Sequence, residues 1–245
     1  MPTKALCVLD GGQISAACAV IACQQFDEVY AVICKDGQQN QIELESAIAV
    51  AEVLSLASYE IVDLSLVPER VESSRLSYIF AQPAPPLGRP QADDHIFPSV
   101  RHILLLTLAA NQAAIKGIKD SFINLSKEDF AEDFERCQSF LNLMARVLGE
   151  GLWRDPAGLK FHTPLMHLNR VESTKLAVDR LGDRFQKVFE LTNDCTLGIE
   201  GGCGQCSGCL SRDRAFQELG VEDPIWKFRH PEFANPTTHL YKSLF

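Results

Sequence analysis

Long apolar runs are missing from this chain. Nowhere do eighteen apolar residues follow one another, so no segment is expected to span a membrane. Positive charge is short as well: 23 Lys and Arg stand against 32 Asp and Glu, a formal net charge of −9 at pH 7. A nucleic-acid binder needs a basic face for the phosphate backbone, and no Lys/Arg run offers one. Nucleic acid is therefore not an expected partner. A secretory signal would need a charged start, a longer apolar run and a cleavage site. Met1-Pro-Thr-Lys4 runs straight into Ala5–Leu9 instead, and the expected location is the cytoplasm. Internal repeats and low-complexity tracts are lacking too. Nine cysteines, an odd number, do not suit a paired disulfide framework.

What is present is ordinary globular usage: 245 residues, 46% apolar and 22% charged, enough to bury a sizeable core. Apolar spacing predicts strands at Ala5–Leu9, Val29–Cys34 and Tyr59–Leu64, separated by helices at Ile14–Gln25 and Gln41–Leu56. Strand, helix, strand, helix, strand implies right-handed crossovers and a parallel sheet. A Pro-rich stretch from Leu66 to Pro98 interrupts the pattern. Helices at Val100–Lys116, Glu132–Leu148 and Val171–Leu181 follow, with strands at Ser121–Leu125, Phe161–Leu165 and Lys187–Leu191. The expected fold class is α/β, a doubly wound parallel sheet of about five strands. The α/β domain should occupy residues 1–192, and a metal-binding appendage and tail residues 193–245.

Five cysteines, Cys7, Cys18, Cys23, Cys34 and Cys137, lie in apolar segments where a thiol acts as a small hydrophobe. The other four cluster. Cys203-Gly-Gln-Cys206-Ser-Gly-Cys209 forms two consecutive CxxC turns, and Cys195 lies upstream across a glycine-containing loop. Four thiolates complete a tetrahedral Zn2+ site, which leaves no open position and so points to a structural ion. An iron–sulfur cluster also takes four thiolates and is the rival reading. A redox CxxC pair would leave two of the four unexplained.

Asp10, Gly11, Gly12, Gln13, Ile14 and Ser15 join the first strand to the first helix. Backbone N–H groups at such a helix start can cradle an anion, although a short Gly-Gly turn is also an ordinary strand-to-helix connection. With this loop, Phe26-Asp-Glu-Val29, the segment Asp36-Gly37-Gln38-Gln39-Asn40, His162-Thr-Pro-Leu-Met166 before Glu172, and the cysteine cluster, the chain resembles the 7-cyano-7-deazaguanine synthase family of queuosine precursor synthesis. The resemblance covers about residues 4–223. It implies an N-type ATP pyrophosphatase fold, adenine-nucleotide alpha hydrolase-like and Rossmann-like. It also implies a bound Zn2+ and a homodimer. The implied reaction activates a 7-deazaguanine carboxylate with ATP and Mg2+, and adds ammonia to give the amide or nitrile.

The family's loop is Ser-Gly-Gly-x-Asp-Ser, in which the first Ser and the amides hold phosphates and the Asp helps organise Mg2+. Here Asp10 replaces that Ser, and Ile14 replaces that Asp. A carboxylate facing a triphosphate repels it by about 1 kcal/mol in water and several-fold more in a shielded site. Ile14 has no oxygen for Mg2+. Further along, a Tyr-Gly-Gln-Arg-His-like segment has become Asp36–Asn40 and lost its cation. A Pro-Gly-Arg-Asn-like stretch corresponds to Pro98-Ser-Val-Arg101, and the family's substrate loop to Asn124–Asp129. The expected pocket therefore lies at the carboxyl edge of the sheet, among the degenerate nucleotide loop Asp10–Ser15, the substrate candidates Asp36, Gly37, Gln38, Arg101 and Asn124, and the residues around them.

Two functions stay open. The first is an active ATP-dependent carbon–nitrogen ligase. The second is a binding or scaffold member that keeps the fold and zinc, takes a 7-deazaguanine-like small molecule or a protein partner, and does not turn over ATP. The charge and metal-ligand argument favours the second. His162 and His167 flank Thr163–Met166, and a satisfied structural role is expected for them.

Overall fold

The computed structural model describes residues 1–35, 41–63, 100–129 and 134–225, with only the helical backbone at 100 and 101. The Pro-rich stretch, Asp36, Gly37, Gln38 and the Arg101 side chain therefore lie outside the described residues. Five strands form one sheet: β1 Lys4–Leu9, β2 Glu28–Lys35, β3 Ser58–Asp63, β4 Asp120–Phe122 and β5 Lys160–His162. Their order is β3-β2-β1-β4-β5, and every pairing is parallel. The helices are α1 Gln13–Gln25, α2 Gln41–Val53, α3 Val100–Ile115, α4 Phe134–Trp153, α5 Arg170–Leu181, α6 Phe185–Phe189 and α7 Ser207–Leu219.

Central β1 shows why the sheet is covered on both faces. Ala5, Cys7 and Leu9 enter one core, with Val29, Ala31 and Ile33 of β2 and with α1, α2, α5 and α6. Leu6 and Val8 enter a second core, with Val32 and Cys34 and with α3 and α4. Period-two alternation thus fills two cores at once, and the strand reads as a continuous apolar run, as parallel sheets do. The result is the doubly wound α/β/α arrangement expected.

Helix α1 is buried from Gln13 to Ala22, and nearly half of its side chains are alanine or cysteine. A helix that is apolar all round belongs in the interior. Small side chains let it lie close to the sheet, which fixes its N-terminus at the carboxyl end of β1.

Three expectations need correction. Lys187–Leu191 is not a strand: Phe185–Phe189 is a short helix with Phe185, Val188 and Phe189 buried on one side. Their i, i+3, i+4 spacing is the helical period, which a window opening at Lys187 hides by leaving out Phe185. Strands β4 and β5 also end earlier than expected, at Phe122 and His162. Pro164 has no N–H to extend a ladder, and Met166 N–H turns back onto the Thr163 carbonyl at 3.1 Å. Helix α4 runs on to Trp153, beyond the expected end at Leu148. Gly149 lies inside it, where a Cβ would stand 2.7 Å from the Asp155 carbonyl oxygen.

Candidate functional site

The loop after β1 is built around glycine. Gly11 has φ +86°, and a Cβ there would lie 2.2 Å from the Glu43 carbonyl oxygen of α2. Both the backbone conformation and the close approach exclude a side chain. Beyond it, the Asp10 carboxylate folds back into the loop. Its Oδ1 accepts from Gly12 N–H at 2.9 Å and from the Ser15 hydroxyl at 2.5 Å. Its Oδ2 accepts from the Asn124 amide at 2.7 Å. Asn124 follows β4, so two neighbouring strand ends meet here, at the sheet edge where such folds place ligands. Ile14 is 9% exposed and packs with the core beneath α1, facing apolar neighbours.

A second carboxylate closes the start of α1. Asp194 accepts from Gln13 N–H, 3.3 Å from each oxygen. Arg170 donates to its Oδ1 at 2.9 Å, and Arg212 to its Oδ2 at 3.1 Å. Burial pushes the Asp194 carboxyl up, but the two guanidinium groups and the Gln13 amide outweigh it and hold it below the ordinary carboxylate range. A Cβ at Gly12 would lie 3.2 Å from Asp10 Oδ1 and equally from Asp194 Oδ1, so two acids flank this one residue.

The partners of Asp194 are themselves held. Asn169 caps α5 in a reciprocal box with Glu172, which sets Arg170 at the first helical position. Arg170 also donates to Gln13 Oε1 at 3.2 Å, and Gln13 Nε2 donates to Thr174 at 2.6 Å. Arg212 on α7 is fully buried and makes a two-pronged pair with Asp223 at 2.7 and 2.8 Å. Its remaining donors reach Thr192 and the Phe189 carbonyl. Sequence reasoning missed Asp194, Arg170 and Arg212. A signal existed in the position of Asp194 directly before Cys195 and of Arg212 just beyond Cys209.

The four clustered cysteines converge. The Sγ atoms of Cys195, Cys203, Cys206 and Cys209 all lie within 4.8 Å of one another, and Cys203 and Cys209 are 3.9 Å apart. Four sulfurs about 2.3 Å from one tetrahedral ion stand about 3.8 Å apart, so the donor set fits a single metal ion. Cys203 Sγ accepts from the Gln205 and Cys206 amides at 3.3 and 3.2 Å, as a thiolate would. Burial pushes the Cys206 thiol up, but hydrogen bonds from Thr196 and Cys209 outweigh it and bring it down to about 6. The other five behave as core. Burial pushes the Cys7 and Cys18 thiols up, and Cys23 to about 11.

The two histidines are held apart in separate contacts. His162 Nε2 sits 2.7 Å from Asp120, and its ring stacks on Phe122, whereas His167 packs on Phe134. Asp129, near the first loop, accepts from Ser126 N–H at 2.7 Å, yet burial holds its carboxyl above the ordinary range. Among the described residues, no helix is long and apolar enough to cross a membrane.

The parallel sheet, the glycine loop at its carboxyl edge and the four converging thiols define a doubly wound α/β protein with a C-terminal loop placed to hold a metal ion. Comparison with known proteins gives the family. Residues 4–220 match the model described as Queuosine biosynthesis protein QueC, and the chain belongs to that family. It is 43% identical over 226 residues to the 7-cyano-7-deazaguanine synthase of Gloeobacter violaceus, covering 92% of this chain and 97% of that protein. Among solved structures it is similar to the NH3-dependent NAD synthetase of Campylobacter jejuni, at 17% identity and TM-score 0.45. That match covers 96% of this chain and 86% of that one. It is also similar to the U34-tRNA thiolase NcsA of Methanococcus maripaludis, solved with its 4Fe–4S cluster, at 14% identity and TM-score 0.46. There the coverage is 97% and 74%.

Proposed function

We propose that this chain is a divergent family member that keeps the scaffold and a structural zinc but does not run the ATP-dependent reaction through its first loop. The observation that carries this reading is the filling of the loop by the chain's own acids. Asp10 takes the Gly12 N–H and the Ser15 hydroxyl, and Asp194 takes the Gln13 N–H. These are the donors a phosphate would use at a helix start. A triphosphate would have to displace one carboxylate and approach a second, at a cost of about 1–4 kcal/mol for each charge pair near 4 Å. Ile14 gives Mg2+ no oxygen to replace what is lost. The remaining role is that of a binding or scaffold subunit, with a 7-deazaguanine-like molecule or a protein as its partner.

Zinc is the metal we assign to the cysteines. Four thiolates on one ion stand close together, as here, whereas four thiolates each binding a different iron of a cluster must stand further apart. When bound, the ion cross-links Cys195 to the start of α7 and leaves no open coordination position. Its part is structural.

An active ligase is the second reading, favoured by the 43% identity across nearly the full length of the Gloeobacter violaceus synthase. Incubation with 7-carboxy-7-deazaguanine, ammonia and Mg-ATP, followed by mass spectrometry, separates the two. The proposal expects no amide or nitrile from the unmodified protein. Formation of the nitrile at a rate comparable to that of the relative would establish the ligase instead.

A further inference from the structure

Three consecutive residues, Asn193, Asp194 and Cys195, connect the two sites, and nearly every polar contact of this segment belongs to one site or the other. Asn193 N–H donates to the Gly11 carbonyl at 2.9 Å, which ties it to the first loop. The Asn193 side chain faces the cysteine loop: its Oδ1 accepts from Cys195 N–H at 2.7 Å, and its Nδ2 donates to the Ile199 carbonyl at 3.0 Å. The Asp194 side chain points back to the Gln13 amide, Arg170 and Arg212. Its main chain presses the other way. A Cβ at Gly208 would lie 1.9 Å from the Asp194 carbonyl oxygen, so the first turn of α7 sits directly on this residue.

We propose that Asp194 joins the metal site and the first loop into one cooperative unit, so that an ion held by Cys195 sets the conformation of Asp10–Ser15. The donor set fits one ion, and that ion fixes Cys195 against Cys203, Cys206 and Cys209. With Cys195 fixed, the backbone of residues 193–194 has one path between the Gly11 carbonyl and Gly208. That path delivers the Asp194 carboxylate to the Gln13 amide. Loss of the ion frees the Cys195 end, and the carboxylate is then no longer aimed at α1. Asp194 and Arg170 are positioning residues in this scheme. The coupling is independent of whether ATP is turned over; it rests only on the reading that the four cysteines hold one zinc, which the zinc content before chelation checks separately.

Hydrogen exchange read by mass spectrometry tests it on the whole protein, zinc-loaded and after chelation. The peptide spanning residues 10–16 should exchange about tenfold faster after chelation, relative to any change in residues 28–35 of β2, because a local unit opens before the sheet does. Equal acceleration of both peptides would mean that the metal supports the fold as a whole, and no acceleration would mean that the sites are independent. Either result overturns the proposal. Asp194→Asn provides the second arm, with zinc content measured alongside exchange. One zinc per chain with a fast-exchanging loop is expected. Weakened zinc retention would also support the coupling, since linkage between two sites is reciprocal. Full zinc retention with an unchanged loop would remove Asp194 from the path. If that variant does not fold, the chelation arm alone decides.

Discussion

The first loop and the cysteine loop lie on either side of Asp194, and they satisfy their polar groups in opposite ways. At the cysteine loop four sulfurs crowd within 4.8 Å of one another, and the Cys206 and Cys209 amides donate to the Cys203 and Cys206 sulfurs, which favours their thiolate form. Such crowding is reasonable only around a cation. At the first loop the acids are satisfied by the chain: Asp10 by hydrogen bonds from Gly12, Ser15 and Asn124, and Asp194 by ion pairs with Arg170 and Arg212. One site is shaped for a ligand, and the other has closed on itself. The two regions meet these different needs on one scaffold because Asp194, held by Arg170 and Arg212, stands between them.

The largest expected effect tests that shared support. Arg212→Met leaves Asp223 buried without a guanidinium and Asp194 with Arg170 alone, and should cost about 3–5 kcal/mol in urea denaturation. A loss under about 1 kcal/mol, within the range of exposed pairs, would show that the junction is soft and the comparison misplaced. Next comes Gly11→Ala, which combines a positive φ with a Cβ 2.2 Å from the Glu43 carbonyl oxygen. A cost of about 2–3 kcal/mol is expected from backbone strain and displacement of α2. A neutral result would mean that the loop has abandoned the backbone form of a glycine nest as well as its side chains.

The smallest effect is in pH dependence, and it differs in sign between two acids. The Asp129 carboxyl is raised by burial, so its contribution to stability is present below the unfolded value of about 3.9 and is lost as pH rises through the folded value. Asp129→Asn should therefore be more stable than the unmodified protein at pH 7, and the difference should shrink as pH falls below about 4. Asp194 is lowered despite its burial, so its contribution is present above about 3.9 and disappears only as pH falls through its folded value. Urea curves at several pH values check both. The same sign for the two would contradict the view that one acid is underpaired and the other well compensated.

Much of this was legible in the sequence, for physical reasons. The alternation of apolar strands with helices located the five strands, most clearly β1 and β2, because strands buried on both faces carry their signal locally. The cysteines were legible because two CxxC turns bring their ligands close by spacing alone. Lys187–Leu191 was misread as a strand because a five-residue window with three apolar residues fits either period, and the anchoring Phe185 lies outside it. Asp194, Arg170 and Arg212 escaped because their partnership is tertiary: residues 13, 170, 194 and 212 meet only once α1, α5 and α7 have packed together. Asp10 was legible as a misplaced charge. That it would turn inward and accept from Asn124, far along the chain, was not.

Calorimetry with Mg-ATP on the purified, zinc-loaded protein tests the central claim most directly, with the Asp10→Ser, Ile14→Asp double variant titrated beside it. A loop closed by its own carboxylates predicts no measurable heat of binding for the unmodified protein. The double variant should gain affinity by about 1–4 kcal/mol, roughly fivefold to nearly a thousandfold, as the repulsion is removed and an oxygen ligand for Mg2+ is restored. Tight, magnesium-dependent binding of ATP by the unmodified protein would contradict the account.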